Sequence, residues 1–128
     1  MSQENVEIVR ASIDAVQHGD AATALSFFSE EVVFEPLVAG PYYGHAGVVE
    51  QWAVFMEEFD EYWFEGEELI DAGDQVVLLW RHGGIGKASG IPVENEGGTV
   101  FSLRDGRISH ARVFADRADA LEAAGLRE

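Results

Sequence analysis

Val100-Phe101-Ser102-Leu103-Arg104-Asp105-Gly106-Arg107-Ile108-Ser109-His110-Ala111-Arg112-Val113-Phe114 is the stretch that decides the fold. Two runs rich in β-branched and aromatic residues flank Asp105-Gly106, a dipeptide suited to a type I′ turn because both of its central residues need positive φ. An antiparallel hairpin is predicted there. Toward the N-terminus the same texture continues back to Tyr62. Short β-prone runs alternate with turn signals at Ala72-Gly73-Asp74, at Gly83 to Gly90 and at Asn95 to Gly98, and together they predict four consecutive strands. On the other side of the hairpin Asp116 is placed to cap a short last helix. Asp119 adds charge to its first turn, and Gly125-Leu126 reads as its stop.

The N-terminal half has a different period. Val6, Val9, Ile13 and Val16 recur at helical spacing until His18-Gly19, where glycine can take the left-handed cap conformation. Asp20 then caps a second short helix through Leu25 and Phe28, and Ser29-Glu30-Glu31 turns into a first strand that Pro36 ends. After a loop from Gly40 to Gly44, Val48, Trp52, Phe55 and Phe59 form one apolar stripe of a third helix ending near Phe59. The expected architecture is α+β. A curved antiparallel sheet wraps around three helices from the N-terminal half, leaving a cone with a central pocket, and a short helix closes the chain.

Composition narrows the functions open to such a fold. A chain of 128 residues is expected to form one domain, residues 1–128, burying roughly two thirds of its unfolded surface. Apolar residues make up 47% of it and aromatics 11%, enough for a core without disorder. With 24 acidic against 8 basic side chains, the formal charge of -16 repels nucleic acid and anionic lipid, both of which are bound through clustered Lys and Arg. Cysteine is absent, so disulfides and thiolate chemistry are excluded. The opening MSQENVEIVR lacks the basic and long apolar segments of a secretory signal, and no apolar run approaches the length of a spanning helix. A cytoplasmic location is expected.

Alternation along the strands points to a buried sheet with two useful faces. Val77, Leu79 and Arg81 share one side and Val76, Leu78, Trp80 and His82 the other, so both sides are substantially apolar. Three helices can cover one face, and a second copy of the chain is the economical cover for the other. On the last strand Ser109, Ala111, Val113 and Ala115 form a face of small side chains opposite Ile108, His110, Arg112 and Phe114. Small side chains there accommodate either a cavity or a closely packed helix.

Several local stretches then carry a resemblance. They are Glu4-Asn5-Val6, Gly19-Asp20, Glu35-Pro36, Tyr43-x-Gly44 to Gly47-Val48, Leu69-Ile70-Asp71-Ala72-Gly73-Asp74, Arg104-Asp105-Gly106-Arg107-Ile108, and Asp116-Arg117-Ala118 to Ala120-Leu121-Glu122-Ala123-Ala124-Gly125-Leu126. Together they resemble SnoaL-like proteins of the nuclear transport factor 2-like superfamily over the whole chain. The resemblance implies an α+β cone, a pocket between helices and concave sheet, and frequent dimerisation through the outer face. It implies no single activity, because the superfamily includes polyketide cyclases, ketosteroid isomerases, limonene epoxide hydrolases, dehydratases and members with no assigned chemistry.

Residue by residue, the resemblance matches Glu35 before Pro36 to the general base of ketosteroid isomerase. The two donors that mechanism needs for the dienolate oxygen fall near Ser12 and Thr99 and are missing. Of the Arg and two Asp residues of limonene epoxide hydrolase, only the Arg finds a match, at Arg81; the Asp positions fall at Gly83 and Val113. The sequence thus nominates Glu35 as candidate base, with Arg81, Tyr43, His45, Trp52, Thr99, Phe101 and Val113 as candidate ligand contacts. Burial in an apolar pocket would raise the Glu35 pKa from about 4.3 and make it effective near neutrality, whereas pairing with Arg81 or the backbone would leave it structural.

His45 beside Tyr42 and Tyr43 could rim the pocket or be a plain loop histidine. His82, His110 and Arg112 could cluster with Trp80, but by alternation they are expected on the interface face. No pair of histidines has metal-ligand spacing, and Gly83 to Gly90 fails as a phosphate loop because Ala88 follows Lys87 and no helix follows. No metal or cofactor is expected. The leading expectation is a homodimeric pocket protein for a small, mainly apolar molecule. Its rivals are a cofactor-free isomerase, cyclase or lyase using Glu35, with Tyr42, Tyr43 or His45 as oxyanion donor, and an inert scaffold with a filled core.

Overall fold

The computed structural model describes residues 2–37 and 40–126, the side chains of Ser2 and Phe55 excepted. Helix α1 (Ser2–Gln17) stops where Gly19 takes a φ of +75°. Helix α2 (Ala21–Ser26) starts at Asp20, whose carboxylate accepts from the Thr23 amide at 3.1 Å and holds an otherwise unmet helix N–H. The chain then runs through strands β1 (Phe28–Glu35) and β2 (Tyr42–Tyr43) into helix α3 (Gly44–Glu57). Four long strands follow: β3 (Phe59–Ala72), β4 (Gln75–Gly86), β5 (Pro92–Arg104) and β6 (Arg107–Phe114). Helix α4 (Arg117–Ala123) comes last.

One six-stranded sheet has the order β2-β1-β6-β5-β4-β3. All its pairings are antiparallel except that of β1 with β6, which is parallel, so the sheet is mixed rather than antiparallel throughout. The β5–β6 hairpin turns at Asp105 and Gly106 with φ of 54° and 77°, the two positive values a type I′ turn requires.

Five sequence expectations about individual elements change. The second helix, expected through Phe28, ends at Ser26, and Phe28 opens β1. Tyr42–Tyr43, expected within a loop, forms β2 against Val33 and Phe34. Phe59, expected at the end of the α3 stripe, opens β3 instead; the side chain of Phe55, in the same stripe, lies outside the described residues. Strand β4 continues to Gly86, into the turn expected from Gly83. Asn95 to Gly98, expected as a turn, lies inside β5. The two glycines there serve packing. A Cβ on Gly97 would lie 2.8 Å from the Trp80 ring, and one on Gly98 would lie 2.7 Å from the Ala120 Cβ.

The helices α1 and α3 pack on the concave face of the sheet. The larger core lies there, and its members include Val9, Val32, Phe34, Val48, Val76, Leu78, Trp80, Phe101, Ile108 and Ala111. A smaller core on the convex face joins Val77, Leu79 and Val100 to Ala120 of α4, with Ile70, Phe114 and Leu121 against them. Much of the second apolar face, for which the sequence invoked a second copy, is therefore covered by the chain's own last helix. Arg117 ties that helix down by donating to the Trp80 carbonyl at 3.0 Å. Among the described residues no helix is long and apolar enough to cross a membrane.

Candidate functional site

Which face a side chain reaches decides what it can do here. Strand β4 sends Val76, Leu78 and Trp80 into the concave core and Val77 and Leu79 under α4, so Arg81 follows the convex side and His82 the concave one. His82 is 5% exposed and caged by aromatic rings. Its imidazole stands edge-on to Trp80, Tyr62 and Phe59, with ring centroids 5.0, 5.8 and 6.1 Å away. An irregularity between Asp60 and Trp63, with Glu61 at φ 52°, interrupts the β3–β4 pairing beside this cage.

Burial pushes the His82 pKa below the usual imidazole value, because a charged ring would lose its hydration there. The same loss of water pushes the Tyr62 phenol up. Next to the cage, Trp80 donates its indole N–H to the buried Thr99 hydroxyl at 2.9 Å. Around it Trp52, Phe59, Tyr62, Phe64 and Val113 are only half-buried, while Phe28 meets Trp52 edge-on at 6.2 Å. A separate cleft of about 110 Å³ between α1 and β3 shares no residue with this cage; it is lined by Arg10, Asp14, Gln17, Glu67 and Glu68 together with Ile13, Leu69 and Leu78.

The concave face thus gathers Trp52, Thr99, Phe101 and Val113 from the expected set and adds Trp80, His82, Tyr62 and Phe59. Trp80 and His82 were expected on the interface face with His110 and Arg112, and the structure separates the two pairs. Alternation had grouped Trp80 with His82 correctly, but with both faces apolar it gave no sign of which one meets the helices.

The remaining expected residues lie elsewhere. Val32 and Phe34 occupy the concave core, so Glu35 points to the convex side, where its carboxylate is hydrogen-bonded to the His110 imidazole. Its neighbour across the parallel pairing is Arg112, whose guanidinium sits 4.7 Å over the Phe114 ring. Arg81 does not meet Glu35. It is paired with Glu94, lies 3.6 Å from both Glu65 and Glu67, and covers the Trp63 ring at 5.7 Å. Those carboxylates, Glu94 first, raise the Arg81 pKa further. Tyr43 is 66% exposed on β2. His45 has its Nε2 2.9 Å from the Phe28 carbonyl oxygen and fastens the first turn of α3 to the start of β1.

Proton transfer by Glu35 into the concave site has no path in this geometry, since the sheet stands between them. The missing isomerase donors are accounted for as well: the Ser12 hydroxyl donates to the Ala24 carbonyl at 3.4 Å, and Thr99 receives the Trp80 N–H. Among the described residues no three His, Cys, Asp or Glu side chains are grouped to hold a metal ion.

Comparison with known proteins agrees with this architecture. A family profile described as the SnoaL-like domain matches residues 9–111. An NTF2-like protein from Burkholderia thailandensis E264 is 25% identical and superposes with a TM-score of 0.81 over 94% of this chain and 95% of that one. A putative SnoaL-like polyketide cyclase from Jannaschia sp. CCS1 is 23% identical, with a TM-score of 0.79 over 96% and 92% of the two chains. TerC, co-crystallised with polyporic acid, is 21% identical, with a TM-score of 0.77 over 95% and 98%. A search of curated protein sequences finds no significant match.

Proposed function

The chain belongs to the SnoaL-like domain family, and from that premise we propose that it binds a small, mainly apolar molecule at the concave aromatic face. The observation that carries this reading is the half-buried rim of Trp52, Phe59, Tyr62, Phe64 and Val113 around the buried His82. Aromatic walls with a few placed polar groups are what small-molecule sites use: the walls supply area, and the polar groups set orientation. Here His82 is the orienting group. Held neutral near pH 7 by its burial, an imidazole can donate to a carbonyl oxygen or accept from a hydroxyl. The co-crystallisation of TerC with polyporic acid supports the reading as an example of small-molecule binding on this fold.

A catalytic version of this reading uses His82 in place of Glu35. A neutral imidazole against an apolar ligand can take a proton next to a carbonyl, and burial keeps it in the unprotonated form that a base must start from, though it lowers its proton affinity. Titration of the protein with a fused-ring aromatic ketone such as 1-tetralone, followed by tryptophan fluorescence, tests binding. Saturable quenching that weakens about tenfold in Trp52→Ala and is unchanged in Glu35→Gln is expected, a tenfold loss corresponding to about 1.4 kcal/mol of wall contact. Absence of saturation with ketones, phenols and quinones alike would discard it. Exchange of the ketone's α-protons in D₂O that disappears in His82→Phe would establish the catalytic version.

Association of two copies belongs to the same proposal. The part of the convex face that α4 leaves open carries Val33, Glu35, His110 and Arg112, with Tyr43 exposed at its edge. Mixed apolar and paired charged groups of this kind suit a self-complementary contact. Light scattering coupled to size exclusion should give twice the chain mass, and Arg112→Glu should lower it.

A further inference from the structure

On the convex side, away from the concave site, the start of β3 and the β4–β5 hairpin enclose an open groove of about 340 Å³. Trp63, Ile85, Pro92 and Val93 form its apolar walls, and Glu61 and Glu94 supply its carboxylates. Three features of the groove are unusual for a surface depression. Trp63 is 38% exposed there, a large indole only partly covered by Arg81. Glu61 is held at φ 52°, a backbone conformation that costs a non-glycine residue energy and recurs at ligand sites. The Trp63 wall is closely backed, because Gly83 lacks a Cβ that would stand 2.3 Å from the Val93 carbonyl oxygen and 3.0 Å from the Trp63 ring.

Charge selects the occupant. Arg81 lies at the Trp63 ring and pairs with Glu94, with Glu65 and Glu67 at 3.6 Å and Glu67 held by Arg117 as well, so of the groove's own lining two carboxylates, Glu61 and Glu94, face one guanidinium. The groove stays net negative within a chain whose formal charge is -16, a field that concentrates cations and repels anions. We propose that this groove binds a small organic cation, an ammonium group carried on an apolar or aromatic body. Trp63, Ile85 and Pro92 receive the body, and Glu61 with Glu94 faces the charge. An anionic ligand is opposed by the carboxylates, and a neutral one forgoes them.

The test uses phenethylammonium as the probe, with 2-phenylethanol and 3-phenylpropionate as neutral and anionic counterparts. Binding is followed at the Trp63 indole N–H by NMR, the signal being assigned with Trp63→Phe. Phenethylammonium should shift that signal saturably, with affinity falling about fivefold in Glu61→Gln and falling again as salt is raised. Both counterparts should bind about tenfold more weakly or not at all. An equal response to 2-phenylethanol would overturn the proposal, as would no saturable response to the ammonium. So would a Trp63 signal that moves with protein concentration alone, which would give the groove to a second copy of the chain. Failure here leaves the concave site untouched, since Trp63 and Trp52 report on opposite faces of the sheet.

Discussion

The two faces of β4 differ by one residue in phase and by everything else in chemistry. Val76, Leu78, Trp80 and His82 sit on the concave side with the helices, and the polar groups near them are neutral. Val77, Leu79 and Arg81 sit on the convex side, where α4 covers the first two and glutamates surround the third. The difference shows where the fold tolerates charge. Ions stay on the face where water still reaches them, while the concave face disfavours the charged form of its imidazole. A carboxylate placed by strand parity on the convex side, as Glu35 is, is therefore kept away from the surface on which an apolar molecule would rest.

The sharpest way to break this contrast is to truncate neighbouring residues on opposite faces. Trp80→Ala removes a 5% exposed indole together with its bond to Thr99 and should cost about 3–5 kcal/mol in urea unfolding. Arg81→Ala, one residue along, should leave the unfolding midpoint almost unchanged, because its ion pairs are exposed. Equal losses would mean that the faces are not divided as described.

A smaller effect is expected where the convex face meets α4. Gly98→Ala places a methyl group 2.7 Å from the Ala120 Cβ and should cost about 1–3 kcal/mol. Hydrogen exchange should accelerate in α4 and leave α1 and α3 unchanged. Uniform acceleration in all the helices would contradict a separate convex core.

Both faces should make stability fall as pH falls, but in different pH windows and for different reasons. His82 has a lowered pKa in the folded state, so the unfolded chain binds its proton first as pH falls below about 6.5. Its part of the stability is complete above that pH and is lost as pH falls toward the folded pKa. Glu67 on the convex side has its pKa lowered chiefly by the Arg117 hydrogen bond, so its contribution is present above about 4.3 and disappears only below it. His82→Phe should remove the upper slope and keep the lower one. Persistence of the upper slope in that variant would place its source elsewhere.

The smallest effect belongs to the residue the sequence ranked first. Glu35→Gln weakens a half-exposed pair with His110 and should change stability by less than about 1 kcal/mol. A gain or loss of several kcal/mol would show that Glu35 is far more buried than its position on the convex face allows.

Much of the fold was legible because its signals are local. Asp105-Gly106 dictated its turn, Asp20 and Asp116 capped their helices, and β4 alternated as read. What stayed hidden depends on distant partners. Gly97 and Gly98 look like a turn in one dimension, yet they are strand residues whose missing side chains admit Trp80 and Ala120. On β6 the expected small face held for Ala111 and Val113, but the pairing slips between Ser102 and Leu103 and brings Ile108 into the concave core with them. The site was half legible for the same reason. Trp52, Thr99, Phe101 and Val113 share the concave face, whereas Glu35 and Arg81 both fall on the convex face and are kept apart by the two strands between β1 and β4, a separation that only the strand order reveals.

Which face a small apolar molecule touches is measured most directly by NMR titration of the ligand-free protein with 1-tetralone, observing the imidazole signals of His82 and His110 together. Concave binding shifts the His82 ring and the Trp52 and Trp80 indoles with one common saturation curve and leaves His110 still. Saturable shifts at His110 with an unmoved His82 would contradict it and return Glu35 to the centre of the chemistry.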